Sequence, residues 1–259
     1  MFRQRNIFIL FLLMASCCLS QAKRPNKDSL LKVIAANKQD TGTVNALIEI
    51  SRGYRAKAPD SAMYFLHKGL KLAEKISSKK HISRACIGIG VVYNFQSLGD
   101  SSLRYLQLSL KIARELKDRY LEAEAEANIG IAYFNKVQYS AALEHYFVAL
   151  RIYESVKEQH NISKIYNNIA NLYFIQDDNK RALEYYRLSL RIAFLENDKY
   201  KLASTYNNIA LIYGDIGMHD TALVYQKKSL AMAEEMKDKF GIGLLNSNIG
   251  KSYFRLSRY

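Results

Sequence analysis

Five histidines, a scatter of carboxylates and one cysteine away from the N-terminus are the side chains of this 259-residue chain best suited to acid–base, nucleophilic or metal chemistry. His67, His81, His145, His160 and His219 lack the short spacing to cysteine or acidic residues that marks a metal site, so they are expected at the surface or in turns. Glu122, Glu124 and Glu126 alternate with alanine, and on a helix such steps fan the side chains around the axis instead of converging them as an acid–base pair. The segment Ile87-Gly88-Ile89-Gly90 follows no strand and opens no phosphate-binding loop, and neither a Ser-His-Asp set nor a P-loop signature is present. The expectation is a protein that is not an enzyme and holds no metal and no cofactor.

Asparagine is the polar residue that does recur. Asn128, Asn168, Asn208 and Asn248 lie forty residues apart, with Asn167 and Asn207 beside two of them. Each amide offers both donors and an acceptor. A column of them could line the backbone of an extended polypeptide, or each could simply satisfy neighbouring backbone within the fold. The sequence leaves both open.

The elements that must position these residues follow from the same period. IGIGVVY at 87–93 is echoed by ANIGIAY at 127–133, NNIANLY at 167–173, NNIALIY at 207–213 and SNIGKSY at 247–253, forty residues apart without insertion. Self-similarity at this period marks a stack of repeated supersecondary units. Gly90, Gly130, Ala170, Ala210 and Gly250 are small, as are Ala142, Ala182 and Ala222 twelve residues after their own copies. Small residues at both places let two helices of a hairpin approach closely. Tyr93, Tyr133, Tyr173, Tyr213 and Tyr253 share the helical face of the first small residue and are expected to fill the space between hairpins. Leu110, Leu150, Leu190 and Leu230 close the second helix, and Asp118, Glu158, Asp198 and Asp238 stand where an acidic residue can cap the next one.

These residues resemble the tetratricopeptide repeat (TPR) family, whose motif the unit beginning at Ala123 meets with Gly130, Tyr133, Ala142, Tyr146 and Ala149. The resemblance covers roughly residues 42–259. It departs from the usual pattern in its longer period and in lacking the proline that closes a repeat, as in the extended-repeat subgroup. It implies an all-α fold, a right-handed α-solenoid of antiparallel helix hairpins (a TPR superhelix), with about five full repeats and a truncated sixth. It also implies a concave groove lined by the first helices. The groove positions hold the asparagine column together with Asn171, Arg84, Lys164, Lys251, Arg255, Phe134 and Phe174. That mixture suits an extended or acidic peptide or protein ligand better than an apolar helix.

Ahead of the array, residues 1–22 read as an export signal: Arg3 and Arg5, an apolar run from Ile7 to Ala15, then Ser20-Gln21-Ala22 as a cleavage site. The run is too short to span a bilayer. Leu13-Met14-Ala15-Ser16-Cys17 also resembles a loose bacterial lipobox, so lipidation at Cys17 stands beside cleavage after Ala22. Residues 23–41 are expected to form a capping helix, near Asp28–Asn37, and a linker. The formal charge of +14 comes from scattered lysines and arginines, not blocks, which describes a solvated basic surface and no nucleic-acid site for this segment. An exported chain would be periplasmic or envelope-associated, touching the membrane only through a lipid anchor or a transmembrane helix beyond Tyr259. The resemblance extends to the periplasmic sensor regions of Bacteroidetes-type TPR signalling proteins, in which a histidine kinase or DNA-binding output domain follows. A structural envelope lipoprotein is the alternative.

Overall fold

The computed structural model describes residues 26–256, so the expected leader, its cleavage site and Cys17 lie outside the described residues. Among these residues there are twelve helices and no strand. They are α1 (Lys27–Ala35), α2 (Thr41–Arg52), α3 (Pro59–Lys75), α4 (Lys79–Phe95), α5 (Gly99–Glu115), α6 (Arg119–Asn135), α7 (Tyr139–Ser155), α8 (Gln159–Ile175), α9 (Asn179–Leu195), α10 (Lys199–Asp215), α11 (His219–Glu235) and α12 (Lys239–Leu256). They fall into two compact units, one ending at Lys157 and one beginning at Glu158. No helix among the described residues is long and apolar enough to cross a membrane. The fold is an all-α solenoid, and each unit is a stack of helix hairpins.

The forty-residue period is two beats of twenty. From α3 to α11 every helix has seventeen residues and ends in a short turn. One residue of each turn is left-handed: Ser77, Ser97, Lys117, Val137, Lys157, Asp177, Asn197, Gly217 and Lys237, with φ between 48° and 82° for the whole set including Asn37. The next amide then reaches the carbonyl five residues back, as in Ser78 to Ala73 at 2.9 Å, Asp118 to Ala113 at 3.0 Å and Asp198 to Ala193 at 2.9 Å. This bond satisfies one of the carbonyls a helix end leaves open. The next helix starts at once. Asp118, Asp198 and Asp238 accept from Leu121, Lys201 and Gly241 N–H, each at 3.1 Å. Glu158 makes no side-chain cap to α8.

Inside a hairpin the small residues mark the closest approach. A Cβ on Gly90 would lie 2.6 Å from Leu106 Cγ, and one on Gly130 would lie 2.6 Å from the Tyr146 ring and 3.2 Å from the Ala142 carbonyl. Ser102 stands in the register of Ala142 and donates its hydroxyl to the Gly90 carbonyl at 2.9 Å. A second tie recurs twenty-six residues apart: Ser83 with Ser109 at 2.8 Å, and Ser163 with Ser189 at 3.1 Å, all four buried. Tyr93 and Tyr133 pack against the clusters shared with the preceding hairpin, and the repeat tyrosines also pair within their own. Tyr93 stacks on Tyr105, Tyr133 on His145, Tyr173 on Tyr185 and Tyr213 on Tyr225, with ring centroids 5.2–5.9 Å apart. The partner ring comes twelve residues later, from the second helix, so the pair plugs the hairpin's own crossing.

Among its described residues, the unit ending at Lys157 holds two apolar clusters. One joins α2, α3 and α4 through Val44, Ile48, Leu66 and Ile89, and the other joins α4, α5 and α6 through Ile87, Leu106, Leu110, Leu121 and Ile129. The capping helix α1 contacts α2 but buries no residue completely.

Candidate functional site

In the unit from Glu158 onward, the first helices α8, α10 and α12 present the asparagine register. Three hydrogen bonds join five of these asparagines on the diagonal. Asn208 Nδ2 donates to Asn167 Oδ1 and to Asn171 Oδ1, both at 3.4 Å, and Asn248 Nδ2 donates to Asn207 Oδ1 at 3.4 Å. Two of these bonds therefore step forty-one residues, one more than the repeat. This explains the doublets Asn167-Asn168 and Asn207-Asn208: the second amide of one pair reaches the first of the pair before it.

Burial divides the column. Asn171, Asn207 and Asn248 are 5 %, 5 % and 6 % exposed, whereas Asn167, Asn168 and Asn208 are half-buried. Tyr186, itself buried, donates its hydroxyl to Asn171 Oδ1, and burial pushes its phenol well above the usual tyrosine range. The Asn171 Nδ2 group is buried and unpartnered. Lys164 on α8 and Lys251 and Arg255 on α12 are exposed. Phe174, expected in the groove, is buried.

In the unit ending at Lys157, the expected groove residues are tied into the fold. Asn128 donates to the Glu124 carbonyl at 2.7 Å, and its own carbonyl accepts from Asn94 Nδ2 at 3.0 Å. Asn135 Nδ2 donates to the Asn94 carbonyl at 2.8 Å, again forty-one residues apart. Arg84 reaches back from α4 to Asn45 at 2.5 Å and to Glu49 at 3.9 Å. Phe134 is buried against Tyr139.

Two charged clusters were invisible to local spacing. Glu126, expected on a solvated face, is 2 % exposed. Its carboxylate takes Arg114 Nη2 at 2.8 Å and His145 Nδ1 at 2.6 Å, joining α5, α6 and α7. The second cluster gathers His160 from the start of α8 with Glu196 and Asp198 from the turn before α10; their ligand atoms lie within 4.8 Å of one another. Such a set has the donors for a divalent ion. The Lys201 ammonium, however, stands among them, donating to His160 Nδ1 at 2.6 Å, to the His160 carbonyl at 3.1 Å and to Glu196 at 2.9 Å. Burial, with Lys164 and Lys201 nearby, holds the His160 imidazole below its ordinary pKa. Glu126 and His145 lie nineteen residues apart, and His160 and Lys201 forty-one, so local spacing does not bring either pair together.

The tetratricopeptide repeat family model matches residues 161–235. No curated protein matches the sequence. Among solved structures, BtubC (BKLC) from P. vanneervenii is 17 % identical, with 82 % of this chain and 89 % of that one covered at a TM-score of 0.64. A putative kinesin light chain of nearly identical TPR-like repeats from Podosopora anserina is 14 % identical, covering 75 % of this chain and 96 % of that one at 0.57. A Rap protein complexed with competence and sporulation factor is 15 % identical, covering 83 % of this chain and 65 % of that one at 0.60. At these identities the likeness concerns the fold, and it is a likeness to stacked helix hairpins in each case. Residues 161–235 are thus a tetratricopeptide-repeat segment, and the forty-residue hairpins on both sides of it share the stacked-hairpin fold of these repeat proteins.

Proposed function

We propose that this chain is an exported, non-catalytic scaffold that binds a peptide or protein segment in extended form along the first helices of its repeats. The reading rests on one observation above the others: α8 and α10 hold half-buried Asn167, Asn168 and Asn208 at repeat spacing, with exposed Lys164 nearby. Asn168 makes no side-chain hydrogen bond among the described residues, so its donors and acceptor can serve a ligand backbone. The Rap protein crystallised with competence and sporulation factor supports the idea that hairpins of this kind accommodate a separate factor. The apolar leader supports export, and with it a role as the sensing part of an envelope signalling protein with a kinase or DNA-binding output.

A random extended-peptide library displayed on phage and panned on the chain tests the binding face. Recovered peptides are expected to lose at least about tenfold in affinity against Asn168→Ala, by the loss of about 1.4 kcal/mol of hydrogen bonding. Undiminished binding to Asn168→Ala and to Lys164→Glu would remove this face from the proposal. The sequence Leu13-Met14-Ala15-Ser16-Cys17 favours a second reading, an assembly lipoprotein. The mass of the mature N-terminus separates the two, a diacylated Cys17 supporting the lipoprotein and a free Lys23 the cleaved form.

A further inference from the structure

The outward stripe of α9 differs from its counterparts. Arg187, Leu188, Arg191, Phe194 and Leu195 follow the spacing of one helix face, and all five are exposed. Phe194 and Leu195 are 73 % and 76 % exposed. In the other second helices the same two positions hold Glu74-Lys75, Arg114-Glu115, Glu154-Ser155 and Glu234-Glu235. One hairpin has thus exchanged charged or polar side chains for an aromatic and a branched aliphatic one, where no core is there to receive them.

The charge around this pair is positive. Glu196 is matched by Lys201 at 2.9 Å and Glu235 by Lys199 at 2.7 Å, which leaves the exposed Glu234 on the next second helix. Arg187 and Arg191 have no ion-pair partner among the described residues. Glu184 is also exposed, but it lies about 16 Å along the helix from Leu195. The equivalent stripe of α11 repeats the theme more weakly, with Val224 exposed beside Lys227 and Lys228.

We propose that this face of α9 attaches the protein to an anionic lipid surface. Phe194 and Leu195 enter the boundary between headgroups and acyl chains, and Arg187 and Arg191 meet lipid phosphates. An exposed helix face that alternates arginine with phenylalanine and leucine has the composition of an interfacial helix. Guanidinium groups bind phosphate through paired hydrogen bonds, and a negative leaflet adds attraction for each basic residue near it. At their exposure, the two apolar side chains stand clear of their own protein surface. A lipid boundary receives such protrusions without a shaped counterpart, whereas a protein partner would need a matching cavity.

The chain contains no tryptophan, so Phe194→Trp places a single reporter at the proposed point of entry. The experiment adds this full-length variant to vesicles of equimolar phosphatidylglycerol and phosphatidylcholine, some carrying brominated acyl chains, and to vesicles of phosphatidylcholine alone. The expected result is a blue shift and bromine quenching of the tryptophan with the anionic vesicles. Both should fall at least about fivefold on the neutral ones and with Arg187→Glu and Arg191→Glu added. In a companion sedimentation assay, Phe194→Glu with Leu195→Glu, which recreates the Glu234-Glu235 pattern, should lower vesicle binding at least about threefold. The N-terminal apolar run is common to all samples and leaves residue 194 in water if it alone binds. Vesicle binding with an unshifted, unquenched tryptophan overturns the proposal. So does a blue shift that appears without vesicles and grows with protein concentration, since that would make the face a contact between copies of the chain.

Discussion

Lys201 places its ammonium 2.6 Å from His160 Nδ1 and 2.9 Å from Glu196, where a divalent ion would sit among those ligands. An internal cation of this kind competes with a metal by occupying the site and by repelling the metal's charge. Lys201→Ala is therefore expected to create nickel or zinc affinity that the unaltered protein lacks, detectable by isothermal titration, and His160→Gln in the same background should abolish it. Equal metal binding with and without the lysine would show that the ammonium does not govern the cluster. The same neighbourhood sets a pH dependence. His160 is held below its ordinary value of 6.5 by burial first and then by Lys164 and Lys201. Below that value the unfolded chain binds a proton more readily than the folded one, so stability rises with pH through this window and falls on acidification from 7 toward 5.5. His81 is shifted the same way by burial and by Arg84 and Lys80. His160→Gln should flatten the slope of melting temperature against pH in that window, and adding His81→Gln should flatten it further.

At the scale of elements, the helix-and-turn rhythm rests on left-handed residues that are mostly not glycine. Val137 has φ 62° and is 66 % exposed, so it carries the steric cost of a β-branched side chain in this conformation without burying anything in return. Val137→Gly is expected to stabilise the protein by about 0.5–1 kcal/mol, the relief of strain exceeding the extra flexibility of the unfolded chain. Gly217, at φ 82°, is the converse case, and Gly217→Val should cost about 1–2 kcal/mol. Chemical denaturation of both variants checks the pair of signs. These turns also show what the sequence conceals. Serine, lysine, valine, aspartate and asparagine all occupy the same conformation at twenty-residue spacing, so no residue type advertises it, whereas the small residues Gly90, Gly130 and Ala142 showed plainly where helices cross. The hairpins and the aspartate caps could be read from composition at a fixed register. The serine ties and the tyrosine pairing could not, because each depends on which residue of the partner helix lies opposite. The asparagine column was legible as a period of forty, but two of its bonds run at forty-one and one at thirty-seven, because each depends on which residue of the neighbouring first helix lies opposite.

For the whole molecule, the repeat makes stability local. Each hairpin touches chiefly its sequence neighbours, so the free energy of a stack is close to a sum of hairpin and nearest-neighbour contributions. The unit ending at Lys157 contains its own apolar clusters, from Val44 and Leu66 through Leu106 to Ile129, with every member inside that unit. Residues 21–157 expressed alone are therefore expected to be helical and to melt cooperatively. In this fragment Leu66→Ala, at a fully buried position beneath Gly88, should cost about 2–5 kcal/mol, the usual range for emptying a packed leucine site. The loss should fall unevenly. Hydrogen exchange should quicken first in α2, α3 and α4, which surround Leu66, while α6 and α7 keep protection supplied by Leu121, Ile129 and the Glu126–His145 bond. Circular dichroism of the fragment tests the first expectation, and residue-resolved exchange of the variant tests the second. A fragment without helical signal would mean that the unit borrows its stability from beyond Lys157. Uniform loss of protection across all its helices would mean that the hairpins fold as one block and that the nearest-neighbour description fails.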